Sequence, residues 1–107
     1  MTTDQICEVA KVAMLNDEFR QSGMGVMLTG GVQSIEDING LMQAVREYDN
    51  FNDKNDPWHE HDFGKIIWRG YKVFWKIDYY DETMTHWQEP ASPDCKRVLT
   101  VMLADEY

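Results

Sequence analysis

The sequence predicts an α+β domain: an antiparallel sheet of four to five strands with two helices packed on one face. Three observations predict it. Two segments repeat apolar residues at three- and four-residue spacings, the other apolar runs are short and mostly alternating, and the order along the chain reads α-β-α-β-β-β-β. The 107 residues, 1–107, amount to a single domain. A chain of this length buries roughly two-thirds of its unfolded surface, so a core is expected without help from a metal or a disulfide.

Thr2-Thr3-Asp4-Gln5 is a helix cap, with Gln5 placed to reach back toward it. Ile6, Val9 and Ala13, with Val12, Leu15 and Phe19, then recur at helical spacing over residues 4–21, and Ser22-Gly23 ends the helix. Residues 24–29 read as a short apolar strand, and Gly30-Gly31 turns the chain. Ser34 is the expected cap of a second helix over residues 34–49, with Glu36 and Asp37 favouring its dipole. Ile35, Ile38, Leu41, Met42, Val45 and Tyr48 form its apolar face. Gly40 lies inside it at a cost of about 1 kcal/mol relative to alanine, which a close packing contact would explain.

Residues 50–57 form a polar Asn/Asp loop. The clearest hairpin follows: residues 61–68 and 71–80 flank Arg69-Gly70, so Trp68 faces Tyr71, Ile66 faces Val73 and Gly64 faces Trp75. Ile66, Trp68, Tyr71, Val73, Trp75, Ile77 and Tyr79 share the face expected under the helices. Lys65, Arg69, Lys72, Lys76 and Asp78, with Phe63, Ile67 and Phe74, share the half-solvated one. Asp81-Glu82 turns into an expected third meander strand at residues 83–87. A proline-containing loop then leads to residues 97–103, apolar on both faces and expected to be central.

Charge narrows the function classes. Nineteen acids against ten bases give a net charge of −9. Direct nucleic-acid binding needs a basic footprint, and an anionic membrane surface repels this chain, so neither is expected. A basic partner is, above all a protein or complex that itself holds nucleic acid. Cys7 and Cys95 fit neither a disulfide framework nor a zinc motif; Cys7 is expected as a small buried hydrophobe and Cys95 in a loop. No signal peptide and no membrane span is expected, and a cytoplasmic location follows. Gly30-Gly31 is not followed by Gly-Lys-Ser/Thr, so it is not a phosphate loop. Asp62-Phe63-Gly64 lacks every other part of a kinase.

The motifs Glu60-His61-Asp62-Phe63-Gly64, Val73 through Asp81 (VFWKIDYYD) and Arg97 through Ala104 (RVLTVMLA) resemble a known family. Leu15-Asn16-Asp17, Asn55-Asp56-Pro57 and Glu106-Tyr107 add to the resemblance. The family is bacterial, mostly proteobacterial, functionally uncharacterised and often carried on plasmids and phages. The resemblance implies a domain identity and a mobile-element context; it implies no catalytic residue.

The leading expectation is therefore a non-enzymatic acidic protein-binding module: a mobile-element-borne inhibitor, of the anti-CRISPR or anti-restriction type, that blocks the nucleic-acid-binding surface of a bacterial defence complex. Two acidic loops carry its expected contacts. Asp49, Asp53, Asp56, Trp58 and Glu60 lie in one, and Asp81, Glu82, Trp87 and Glu89 in the other. Spaced carboxylates would compete with phosphates, and tryptophans are frequent interface anchors. The acids are expected to be solvated, the module monomeric or homodimeric, and no cofactor is required. The alternative is a small metal- or carboxylate-dependent enzyme using His59, His61 and Asp62. Two histidines at alternate positions of a strand point the same way, and His86 would add a third ligand.

Overall fold

The computed structural model describes the backbone of residues 3–107 and the side chains of residues 7–107. The side chains of the cap expected at Thr2–Gln5, and that of Ile6, lie outside the described residues. Helix α1 (Thr3–Ser22) leads to β1 (Val26–Leu28), a single helical turn α2 (Gly30–Gln33) and helix α3 (Ile38–Arg46). Strands β2 (Phe63–Trp68), β3 (Tyr71–Tyr80) and β4 (Lys96–Leu103) follow, then a 3-10 turn at Ala104–Glu106. The fold is α+β, with the helices against one face of a four-stranded sheet of order β1-β4-β3-β2.

The hairpin forms as its sequence requires. Trp68 pairs with Tyr71, Ile66 with Val73 and Gly64 with Trp75. Arg69 and Gly70 both take positive φ, 50° and 86°, the geometry that a two-residue turn needs to match strand twist. Val73, Trp75, Ile77 and Tyr79 are buried on the helix side. They meet Leu99 and Val101 of β4, and Val32, Ile35, Leu41 and Val45 of the helical layer. Tyr71, expected on this face, is exposed because it sits at the hairpin tip. Gly64 leaves room for the Trp75 indole, with which a Cβ would collide.

Four expectations are corrected. The sheet is mixed: β4 is central, but β1 runs parallel to it with Val26 opposite Leu99. The long path from residue 28 to residue 96 permits that direction, as a hairpin would not. The second helix is shorter than 34–49. Gly30-Gly31 belongs to α2, Ser34 closes that turn by donating to the Gly31 carbonyl at 3.3 Å, and Asp37 caps α3 through Gly40 N–H at 3.2 Å. The strand expected at 83–87 is a set of turns. The Asp81 carboxylate takes the Thr83 hydroxyl at 2.8 Å and the backbone N–H groups of Thr85 at 3.1 Å and His86 at 3.4 Å, which curls the segment back on Asp81. Finally, Cys7 is exposed. The buried stripe of α1 runs through Val12, Asn16 and Arg20, and Cys7 lies off it.

The C-terminal turn is latched. The Glu106 carboxylate accepts from Thr29 Oγ1 at 2.7 Å, Leu103 N–H at 3.0 Å and Gly31 N–H at 3.1 Å, and these donors lower its pKa. Tyr107 then lies against Phe63 and Phe74 on the helix-free face of the sheet, ring centroids 6.1 and 5.8 Å away.

Two substitutions test the packing. Trp75→Ala empties the centre of the core and should cost about 3–5 kcal/mol, read as a urea midpoint. By helix propensity alone Gly40→Ala would gain about 1 kcal/mol. A Cβ at residue 40, however, would stand 2.6 Å from Asp37 Oδ2 and 2.8 Å from Trp68 Cζ2. The expected outcome is therefore a lower melting temperature.

Candidate functional site

A polar network places the loop between α3 and β2. Asn16 Nδ2 donates to the Tyr79 hydroxyl at 2.8 Å and to the Glu60 carbonyl at 2.9 Å, while Asn16 Oδ1 accepts from Arg97 Nε at 2.6 Å. Arg20 is 1% exposed. Its guanidinium donates to Asp17 at 3.0 Å and to the Tyr48 carbonyl at 2.9 Å, and its Cζ lies 5.0 Å from the Trp75 ring centroid. Beside it His61 stacks on Phe51, centroids 3.9 Å apart and planes 3° apart. The Nδ1 of His61 meets Asp17 at 3.0 Å, and its Nε2 lies 3.6 Å from Asp56. Asp56 is 5% exposed and also accepts the His61 N–H at 3.3 Å.

These bonds curl residues 56–62 away from strand geometry. His59 N–H donates to the Asp56 carbonyl at 3.0 Å, and His59 and His61 take positive φ, 57° and 56°. The strand expected from His61 begins only at Phe63. The two histidines therefore do not share a side. His59 is exposed with Asp53 3.8 Å away, His61 turns inward to Asp17 and Asp56, and His86 sits on Asp81 at 3.4 Å. Among the described residues no group of three or more His, Cys, Asp or Glu side chains is arranged to hold a metal ion.

The candidate site lies where that loop meets the helix-free face of the sheet. Two shallow depressions, about 270 and 310 Å³, share Asp62, Ile77 and Asp78. Trp87 walls the smaller and Trp58 the larger. Both indoles are open to solvent, at 68% and 78%. Asp78 also borders a broader hollow of about 630 Å³ that runs across β1, β4 and β3 past Met27, Thr100 and Tyr80. Lys76 holds Asp78 at 3.0 Å. Asp62 and Glu60 make no salt bridge among the described residues. Burial raises the pKa of both. The charges of Asp62 and Asp56 raise that of Glu60 further, and those of Asp56 and Asp78 raise that of Asp62, while the hydrogen bond with the Glu60 carboxyl pulls Asp62 back down. The Tyr79 hydroxyl, 3.3 Å from Glu60 Oε2, partly offsets the rise at Glu60.

Of the expected contact residues, Asp49, Asp53, Glu82 and Glu89 are exposed carboxylates, and Trp58 and Trp87 are exposed aromatics. Asp56 is not solvated as expected: it is an internal anchor for His61. Glu60 is half-buried under Tyr79. The carboxyl of Asp81 is occupied by its own turn, and the Thr83 hydroxyl with the Thr85 amide holds its pKa down at about 2. Asp78, Tyr79, Arg97, Asn16, Asp17 and Arg20 did not enter the expected site. One signal was available for the last group: Asn16 and Arg20 continue, at four-residue spacing, the apolar stripe that contains Val12.

Fold and surface together define a small acidic α+β protein whose helix-free sheet face is flanked by two exposed tryptophans. The chain belongs to the family described as Protein of unknown function (DUF3768), which matches residues 28–106. Asn16, Asp17 and Arg20 precede the matched segment and bond residues inside it. Searches of curated proteins and of solved structures returned no match. Among the described residues no helix is long and apolar enough to cross a membrane.

The raised carboxyl pKa values have a definite sign. The folded state binds these protons more tightly than the unfolded chain does. Their contribution to stability is thus fully present below the ordinary carboxyl pKa and is lost as pH rises through the folded values. Asp62→Asn removes one of the interacting charges. It should gain about 1 kcal/mol at pH 7.5, as relief of surface charge repulsion commonly does. The gain should shrink toward zero near pH 3. Urea midpoints at the two pH values check both halves.

Proposed function

We propose that this protein is a non-enzymatic acidic protein-binding module: a mobile-element-borne inhibitor that covers the nucleic-acid-binding surface of a bacterial defence complex in the cytoplasm, of the anti-CRISPR or anti-restriction type. The observation that carries the reading is the pair of solvent-open tryptophans, Trp58 and Trp87, on either side of the carboxylates Asp62 and Asp78. Large aromatics held out in water gain nothing from folding and are among the residues that most often dominate the energy of an interface. Around them stand the exposed acids Asp49, Asp53, Glu82 and Glu89. With the net charge of −9 they fit a basic surface that otherwise holds phosphates. The resemblance of the motifs to a plasmid- and phage-borne family supports the setting.

One observation favours the alternative of a carboxylate-dependent enzyme. Glu60 and Asp62 are adjacent carboxyls with unequal surroundings, the kind of pair that general acid–base chemistry uses. The histidines of that alternative point elsewhere, so its chemistry would rest on this pair.

The binding reading predicts a division of labour. Long-range attraction is screened over about 8 Å at physiological salt and acts chiefly on association. Replacing the exposed Asp53, Glu82 and Glu89 by amides should slow association with a defence complex and flatten its salt dependence. Trp87→Ala should instead speed dissociation. Surface-based kinetics at two salt concentrations measure both effects. Unchanged association and salt slope in the triple amide variant would remove the acidic loops from the contact.

A further inference from the structure

The smaller depression has a chemistry narrower than general acidity. It is lined by Asp62, Ile77, Asp78, Tyr79, Tyr80 and Trp87, and no basic side chain lines it. Its volume of about 270 Å³ is on the scale of one long side chain, not of a folded surface. Lys76 reaches Asp78 at 3.0 Å from the neighbouring depression, which leaves Asp62 without a cation. Asp62 is partly buried and stands close to Glu60, Asp56 and Asp78. One wall is Trp87, which is 68% exposed.

We infer that this depression is a seat for one arginine side chain of the basic partner, the guanidinium pairing with Asp62 and lying against the Trp87 indole. The inference rests on the protein-binding reading and names the group that the site takes. Charge complementarity selects a cation, because a carboxylate without a counterion faces the depression. The aromatic wall selects arginine over lysine. A guanidinium is planar and weakly hydrated, forks onto a carboxylate and stacks on an indole, whereas an ammonium holds its water more strongly. Lys76 remains on Asp78, so Asp62 is the carboxylate that the guest neutralises.

The test uses the full chain and two blocked glycine-spaced peptides of equal charge, one carrying arginines and the other lysines. Binding is followed by the indole N–H resonances in two-dimensional NMR, with the Trp87 signal assigned from a Trp87→Phe variant. The arginine peptide should shift the Trp87 signal and bind about fivefold tighter than the lysine peptide, the factor that a cation–π contact at a partly exposed site adds. Asp62→Asn, which is expected to fold more stably than the parent, should remove that preference. Trp87→Phe should retain part of it and Trp87→Ala none. Equal affinity for the two peptides, a still Trp87 signal, or a preference that survives Asp62→Asn would overturn the arginine seat. If both peptides bind alike and the triple amide variant weakens both, the seat fails and the acidic-module reading stands. If neither peptide binds and the triple amide variant leaves association with the defence complex unchanged, both fail.

Discussion

The side chain of Asn16 holds together four parts of the chain that are far apart in sequence. One amide bonds the carbonyl of Glu60 in the loop, the hydroxyl of Tyr79 on β3 and the guanidinium of Arg97 on β4, all from helix α1. Asn16 is fully buried, so its own amide atoms would be left as costly orphans if these bonds were lost. Helix α1 is thus fixed to the sheet by polar geometry as much as by apolar area. That gives it one register: sliding the helix by a turn would strand Asn16 and Arg20 together.

The same network explains how an acidic surface is held in place. His61 is stacked on Phe51 and reaches a carboxylate from each ring nitrogen, Asp17 on one side and Asp56 on the other. With those bonds made, residues 56–62 cannot extend into β2, and the curl turns Trp58 outward and sets Asp62 beside Asp78. Interior and surface acids of one loop therefore do different work. Asp56 is a fastening, and Asp53, 93% exposed at its side chain, stays in solvent. Here the positive φ values at His59 and His61 and the crowding of Glu60 with Asp62 fall at the same place.

The elements legible in the sequence were those governed by local rules. Hairpin register followed from the two-residue turn at Arg69-Gly70 and the alternation on either side of it, and the core face of β3 followed from register. The centrality of β4 was readable because its apolar residues run through both faces, as an edge strand's seldom do, even though Val98, Thr100 and Met102 look onto the helix-free side of the sheet. Where local signals competed, the pattern misled. Thr83 to Trp87 has strand-like composition, but a single Asp81 carboxylate gathers the backbone N–H groups of Thr85 and His86 into turns. Ser34 is a good cap by type, yet the chain uses Asp37, because that start lets Gly40 pack tightly against Trp68.

What the sequence determined by itself was the α+β class, the hairpin, the acidity of the surface and the presence of tryptophans in acidic loops. These depend on composition and on neighbours within a few residues. Only the tertiary structure decided which carboxylates face water and which are fastenings. Asp53 and Asp56 are three residues apart and chemically identical. They differ only in whether His61, itself placed by a helix 44 residues earlier, arrives beside them. The parallel pairing of β1 with β4 has the same origin. Burial and strand partnership are properties of distant segments meeting, and no local spacing encodes them.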